Sequence, residues 1–345
     1  TTRLVGSEMC IRDRGFIRMA DDGWQQGWHE RNGGNLSYRM KPEEIQMVKE
    51  EFTPGAWCPI GAQVPTLAGM YFLVTGSGKY FRNVSVKPED SICIIELDDK
   101  GENYRICWGL VNGGRPTSEL PSHLMNHAVK MEITEGKHRV IYHAHTTNII
   151  ALTFVLPLED KIFTRELWEM ATECPVVFPE GVGVVPWMVP GGKDIAMATS
   201  ELMKKYNLVI WAHHGMFASG EDFDLTFGLM HTAEKSAEIL VKMLSMQKEK
   251  RQTIRPDDFR KLAEDLQVEQ DVWFTGVQKN PFAYLKQASL FVMTSVSEGF
   301  PNSLIEAMAV GIPAMSVNCK TGPAEIFLDD YRKGGDGHTV IEGEY

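Results

Sequence analysis

The sequence predicts an α/β protein with a mixed, mainly antiparallel sheet covered by helices, and a shorter parallel β/α segment after about residue 255. Two observations predict the first part. Runs rich in β-branched and aromatic residues alternate with amphipathic stretches, but not in strict βαβ order. The run 140–148 reads as a strand carrying His143 and His145, and the alternation of a strand puts both imidazoles on one side. The third observation is the change of character in the last ninety or so residues, where short apolar strands flank a helix in parallel β/α fashion.

Taken in order, the elements are as follows. Residues 4–14 fit no amphipathic pattern and resemble translated sequencing-adapter read-through, so 1–14 is read as a non-native or disordered leader. A helix begins near Gly15, with Phe16, Ile17, Met19, Ala20, Trp24 and Trp28 at roughly helical spacing, and ends in a turn over 30–35. Strands are expected at 36–40, 70–74, 91–97 and 104–110, with an irregular, proline-containing insertion over 41–64. A helix opens at 116–121, where Ser118 suits the N-cap, and continues through His127 and Met131. Helices near 148–155 and 163–170 follow the histidine strand. Strands are expected at 176–178, 182–187 and 207–211, and helices at 194–206 and 222–246. The tail is read as strands at 272–275, 289–293 and 313–317 around a helix at 302–310.

Composition narrows the function classes. The chain has 345 residues, 43% hydrophobic and 23% charged, ordinary for a globular protein. A net charge of −11 argues against a general nucleic-acid binder, which needs a basic face for phosphates. Cys10, Cys58, Cys93, Cys107, Cys174 and Cys319 form no Cys-x-x-Cys pair and read as reduced thiols of a cytoplasmic protein. No stretch approaches the roughly 18 consecutive apolar residues of a membrane span, and no secretory signal is legible.

His-x-His at a strand end offers two nitrogen ligands to one metal ion, although a chance pair of core or surface histidines has about even odds by itself. His214, or its neighbour His213, ends a second strand and can supply the third. Three protein ligands and an open position describe a catalytic metal. Glu119 stands at a helix start, where the helix N-terminus favours its ionised form, and a carboxylate near a metal can move protons. A plain capping acid is the common alternative. Glu173 is a second candidate, with an ordinary exposed glutamate as its alternative. The turns 32–35 and 76–78 combine glycines with Asn and Ser donors and suggest an anion site. The second turn is no Walker loop, since Leu73 and Tyr80 replace its first glycine and its Ser or Thr.

These pieces in this order resemble one family. GWHERNGGNL, FLVTGSGKYFRN, WGLVN, PTSELPSH, VIYHAHTTNIIALT, FTRELWE, TECPVVFPEGVG, PWMVPG, HHGMF and FGLMHTAEKSAEILVK carry a resemblance to the rhamnulose-1-phosphate aldolases, class II zinc enzymes, over about 15–254. The resemblance implies the class II aldolase/adducin-like fold and reversible aldol cleavage of L-rhamnulose 1-phosphate to dihydroxyacetone phosphate and L-lactaldehyde. It implies His143, His145 and His214 as ligands of one Zn2+ per subunit, and Glu119 as catalytic acid/base. It implies Asn32, Asn35, Ser77, Gly78 and Ser118 as phosphate-binding, and Glu173 as a catalytic group at the aldehyde end. It implies a homotetramer with sites near interfaces. A related epimerase usually carries aspartate where this chain has Glu119. A fuculose-phosphate aldolase is the alternative within the family.

The tail departs from that family. VWFTGVQKNPFAYLKQASLFVMTSVSEGFPNSLIEAMAVGIPAMSVNCKTGPAEI resembles part of the C-terminal domain of a family-4 glycosyltransferase with the GT-B fold. Glu298 and Glu306 match its E-x7-E nucleotide-sugar motif, here without the partner domain. The expected organisation is thus a leader (1–14), an aldolase domain (15–257) and a truncated GT-B fragment (258–345), an assembly chimera with a true gene fusion as the alternative.

Overall fold

A nine-stranded sheet organises the first part of the chain. Its strands are β1 (Asn35–Arg39), β2 (Cys58–Pro59), β3 (Tyr71–Thr75), β4 (Ile92–Leu97), β5 (Asn103–Gly109), β6 (Val140–Ala144), β7 (Gly183–Val185), β8 (Leu208–Trp211) and β9 (Gly215–Gly220). This computed structural model describes residues 9–247, 250, 252–254, 258, 280–293 and 302–316. The chain divides into two units, Thr1–Ile254 and Arg255–Tyr345. The strand order is β2-β5-β4-β3-β1-β6-β9-β8-β7. Every pairing is antiparallel except β7 with β8. The predicted mainly antiparallel sheet is therefore the observed one.

Helices cover both faces. On one lie α1 (Met9–Gln25), α5 (Thr147–Leu152), α6 (Asp160–Trp168) and α9 (Phe223–Met246), packed through Phe16, Ile149, Phe163 and Met230 against Leu36, Tyr142 and Ala144. On the other lie α4 (Leu120–Ile133), packed through Leu124 on Phe72 and Ile95, and α8 (Lys193–Met203), packed through Ile195 and Met203 on Ile141 and Trp211. Successive β6 side chains thus enter different cores, as strand alternation requires. The short helices are α2 (Pro42–Val48), α3 (Pro88–Ser91) and α7 (Cys174–Val177). In the second unit the described elements are α10 (Pro281–Leu285), β10 (Phe291–Met293), α11 (Asn302–Ala309) and β11 (Ala314–Ser316). β10 and β11 pair in parallel, with Phe291 opposite Ala314. The strand expected at 272–275 lies outside the described residues.

Several expectations are corrected. The first helix starts at Met9, inside the segment read as a leader, because extending a formed helix adds one hydrogen bond per residue without a new nucleus. The insertion at 41–64 is not wholly irregular. Pro42 sits in the first turn of α2, where its missing N–H has no helical partner, and Ile45 and Val48 form its buried stripe. Residues 176–178 are not a strand: Pro175 presets φ for the first turn of α7. β9 was not expected, since glycine and serine weaken its local strand signal; pairing with β6 and β8 on its two edges makes it. The N-cap of α4 is Glu119, not Ser118.

Two buried charged groups tie these layers to the strand ends. Glu234 of α9 accepts from the Asn148 and Ile149 N–H groups at 2.8 and 3.0 Å, satisfying the start of α5 just beyond His145. Lys130 of α4 donates to the Tyr206 carbonyl at 2.8 Å and to Asn207 Oδ1 at 2.6 Å. Burial pushes its pKa down to about 7. The folded state therefore binds fewer protons than the unfolded state between about pH 7 and the ordinary lysine pKa, so this group makes stability rise with pH across that window. Lys130→Met should flatten that rise in urea unfolding midpoints measured from pH 7 to 10. An unchanged slope would show that burial does not lower the Lys130 pKa as described.

Candidate metal centre

The β1–β6–β9 register builds the site. Asn35 lies opposite His143, and His143 lies opposite Phe217. His143 is fully buried, and its Nδ1–H donates to the Met216 carbonyl at 3.0 Å, which leaves Nε2 as the bare nitrogen. His145 follows the end of β6. Its Nδ1–H donates to Glu30 Oε1 at 2.6 Å, an arrangement that orients an imidazole and raises its basicity toward a metal.

The turn between β8 and β9 chooses between the two neighbouring histidines. His213 has φ +61° and turns its ring onto Phe154, with Nδ1 3.1 Å from Thr153 Oγ1. His214 then faces His143, their rings nearly parallel at 13° and 5.1 Å apart. Gly215 permits the close approach: a Cβ there would collide with the Ala144 carbonyl. One ligand atom from each of His143, His145 and His214 lies within 4.8 Å of the others.

The donor set fits a divalent metal. The Nε2 atoms of His143 and His214 are buried and have no hydrogen-bond partner. An unsatisfied buried acceptor costs about 1–3 kcal/mol, and two at one spot suit nitrogens kept for an ion. Burial and the neighbouring His145 hold His143 far below the usual histidine range and bring His214 down to about 4, so both rings are neutral, as metal ligation needs.

Glu119, at the cap of α4, closes the site. Its Oε2 is 3.7 Å from His143 Nε2 and its Oε1 4.0 Å from His214 Nε2, beyond hydrogen-bond length. Oε2 accepts from Asn35 Nδ2 at 3.0 Å. Burial raises the carboxyl pKa, and the Asn35 bond opposes that rise.

The other expected residues fall into four groups. Ser77, Gly78 and Ser118 come to one rim. Gly76 bridges Pro116, Ser77 N–H donates to the Arg115 carbonyl at 2.8 Å, and Thr117 N–H donates to the Thr75 carbonyl at 2.9 Å. The Ser77 backbone donor is thus already used, which leaves its hydroxyl, the exposed Gly78 (φ +73°) and the exposed Ser118. Asn32 is exposed in the first turn, while Asn35 is buried and commits its amide to Glu119. Glu173 is exposed at the cap of α7, with no hydrogen bond to the three histidines among the described residues. Glu306 is half-buried on α11, and Glu298 lies outside the described residues.

Sequence reasoning missed Glu30, and it missed His123, which stands behind Asn35. Glu30 gives no local signal, being one more acid in a polar turn. His123 could have been found, because Glu119, His123 and His127 are spaced four apart on one helical stripe.

Comparison with known proteins agrees with this geometry. Residues 15–241 match the family model described as Class II Aldolase and Adducin N-terminal domain. Residues 225–342 match Glycosyl transferases group 1. The chain is 54% identical over 252 residues to the rhamnulose-1-phosphate aldolase of Mannheimia succiniciproducens, covering 73% of this chain and 92% of that protein. It is 52% identical over 246 residues to that of Pectobacterium atrosepticum, covering 71% and 89%. The crystal structure of a sugar-phosphate aldolase from Thermotoga maritima superposes with a TM-score of 0.60 at 28% identity, covering 71% of this chain and 99% of that one. The chain belongs to the class II aldolases, as a member of the rhamnulose-1-phosphate aldolase family.

Proposed function

We propose that this chain carries out the reversible aldol cleavage of L-rhamnulose 1-phosphate to dihydroxyacetone phosphate and L-lactaldehyde, with zinc as its metal. The observation that carries the reading is the convergence of two bare, buried imidazole nitrogens and the Glu119 carboxylate at the ends of β6 and β8. The relatives named for that reaction support the substrate.

His143, His145 and His214 hold the ion. When bound, zinc supplies Lewis-acid stabilisation for the charge left by breaking the C3–C4 bond. Glu119 is the acid/base. Its Oε2 is occupied by Asn35, so Oε1 is the oxygen that takes the proton of the C4 hydroxyl, which becomes the aldehyde oxygen, and returns it to C3, the carbon the aldehyde leaves. Asn32, the Ser77 and Ser118 hydroxyls and Gly78 bind the phosphate, which fixes the reacting bond against the site. Asn35 acts between the two, at the base of the phosphate turn and on the carboxylate. Glu173 serves the aldehyde end from across a subunit boundary in a homotetramer, and the enzyme works in the cytoplasm. Among the described residues no helix is long and apolar enough to cross a membrane.

The tail has a reading of its own. Its family match and the parallel β10–α11–β11 unit support a nucleotide-sugar-binding remnant built on Glu298 and Glu306, joined to the aldolase as a chimera.

The purified full chain should release dihydroxyacetone phosphate from L-rhamnulose 1-phosphate, lose that activity to a zinc chelator and regain it with zinc. If a version ending at Ile254 is folded and zinc-loaded yet inactive, the aldolase reading fails. Glu119→Gln should lower kcat by about 100- to 10,000-fold with bound zinc unchanged; retention of activity would remove Glu119 from proton transfer.

A further inference from the structure

Behind Glu119 runs a buried polar chain that the reaction as derived does not use. His127 Nε2 is 2.8 Å from Ser37 Oγ, and Ser37 Oγ is 2.6 Å from His123 Nδ1. His123 Nε2 is hydrogen-bonded to Asn35 Oδ1, and Asn35 Nδ2 donates to Glu119 Oε2 at 3.0 Å. All five side chains are buried: Ser37 and His123 are at 0% exposure, His127 at 1%, Asn35 at 6% and Glu119 at 7%.

Counting protons fixes the direction of every bond. A carboxylate only accepts, so the Asn35 amide presents Nδ2 to it and Oδ1 to His123. His123 must then carry its proton on Nε2. A neutral imidazole has one N–H, so Nδ1 accepts, and the single Ser37 proton goes there. Ser37 Oγ in turn accepts from His127, whose proton is also on Nε2. Burial keeps both rings neutral. Each donor points toward Glu119, and bonds aligned in this way strengthen one another.

We propose that this one-way chain, from His127 through Ser37 and His123 to Asn35, positions the Glu119 carboxylate, which makes His123 a positioning residue for the reaction. It pins Oε2 and leaves Oε1 toward His214. The inference rests on the aldolase reading for its kinetic consequence and on the hydrogen-bond geometry alone for its tautomers.

The test has two parts on the full chain. In 15N-histidine NMR of the zinc-loaded protein, His123 and His127 should both show the Nε2–H tautomer; an Nδ1–H tautomer at His123 overturns the proposal whatever the activity. In steady-state kinetics, His123→Phe keeps the ring volume and removes the donor to Asn35, whereas His123→Gln keeps a donor. His123→Phe should lower kcat on the order of 100-fold, the effect of a misplaced catalytic group, with KM changed less than about threefold, and His123→Gln should stay within about tenfold of the parent. Bound zinc should be unchanged in both. Equal activity in the two variants, a better Phe variant, or a loss that follows zinc content would assign His123 to packing and overturn the proposal. Ser37→Ala decides the matter if His123→Phe does not fold: a kcat lowered about tenfold at unchanged zinc supports the chain, and an unchanged kcat refutes it. If the parent chain fails to cleave L-rhamnulose 1-phosphate, the functional reading falls, and the tautomers alone decide the inference.

Discussion

The antiparallel register of β1, β6 and β9 is the constraint on which the site depends. It sets Asn35 beside His143 and His143 beside Phe217, and it ends β6 where His145 meets the turn that carries His214. A slip of one residue would send His143 to the opposite face, into the core that Tyr142 fills. The buried groups around the strands hold that register. Tyr142 O–H donates to His29 Nε2 at 2.6 Å, because the His29 proton is on Nδ1 and goes to the Gly33 carbonyl, and His29 stacks on Phe81. The first glycine turn is thereby fastened to the strand that carries the ligands. Gly34 lets that turn pass, since a Cβ there would lie 2.7 Å from the His143 carbonyl.

Burial acts on the site in two opposite ways. It drives the imidazoles neutral, which prepares them for a cation, and it raises the Glu119 carboxyl, which would cost the site its acceptor without compensation. The Asn35 bond opposes that rise without cancelling it. The price of a dry site is thus a supporting layer of hydrogen bonds, and α4 carries most of it on the stripe Glu119, His123 and His127. Lys130, one turn further along, anchors the same helix to the loop before β8.

Much of this was legible. The His-x-His strand, the second strand end at His214, Glu119 at a helix start and the mainly antiparallel sheet all follow from local patterns. The motif resemblance then chose His214 over His213, and the geometry gives the reason, a left-handed His213 followed by a glycine that must pass the Ala144 carbonyl. What was misread locally is as instructive. β9 is poor in strand formers and exists because two neighbours pair with it. Pro175 turns an apolar run that resembles a strand into one helical turn.

Sequence alone determined the element types wherever periodicity was strong, and it singled out His143, His145 and His214, which the structure brings together, because histidines are few and the first two share one short strand. Only the tertiary structure decided their partners. Glu30 meets His145, Asn35 supports Glu119, and Ser37 links two histidines from a different element. Those contacts join residues more than eighty positions apart, and no local pattern encodes them; they arise when strand register and helix packing bring the buried faces together and each polar group must find a partner away from water.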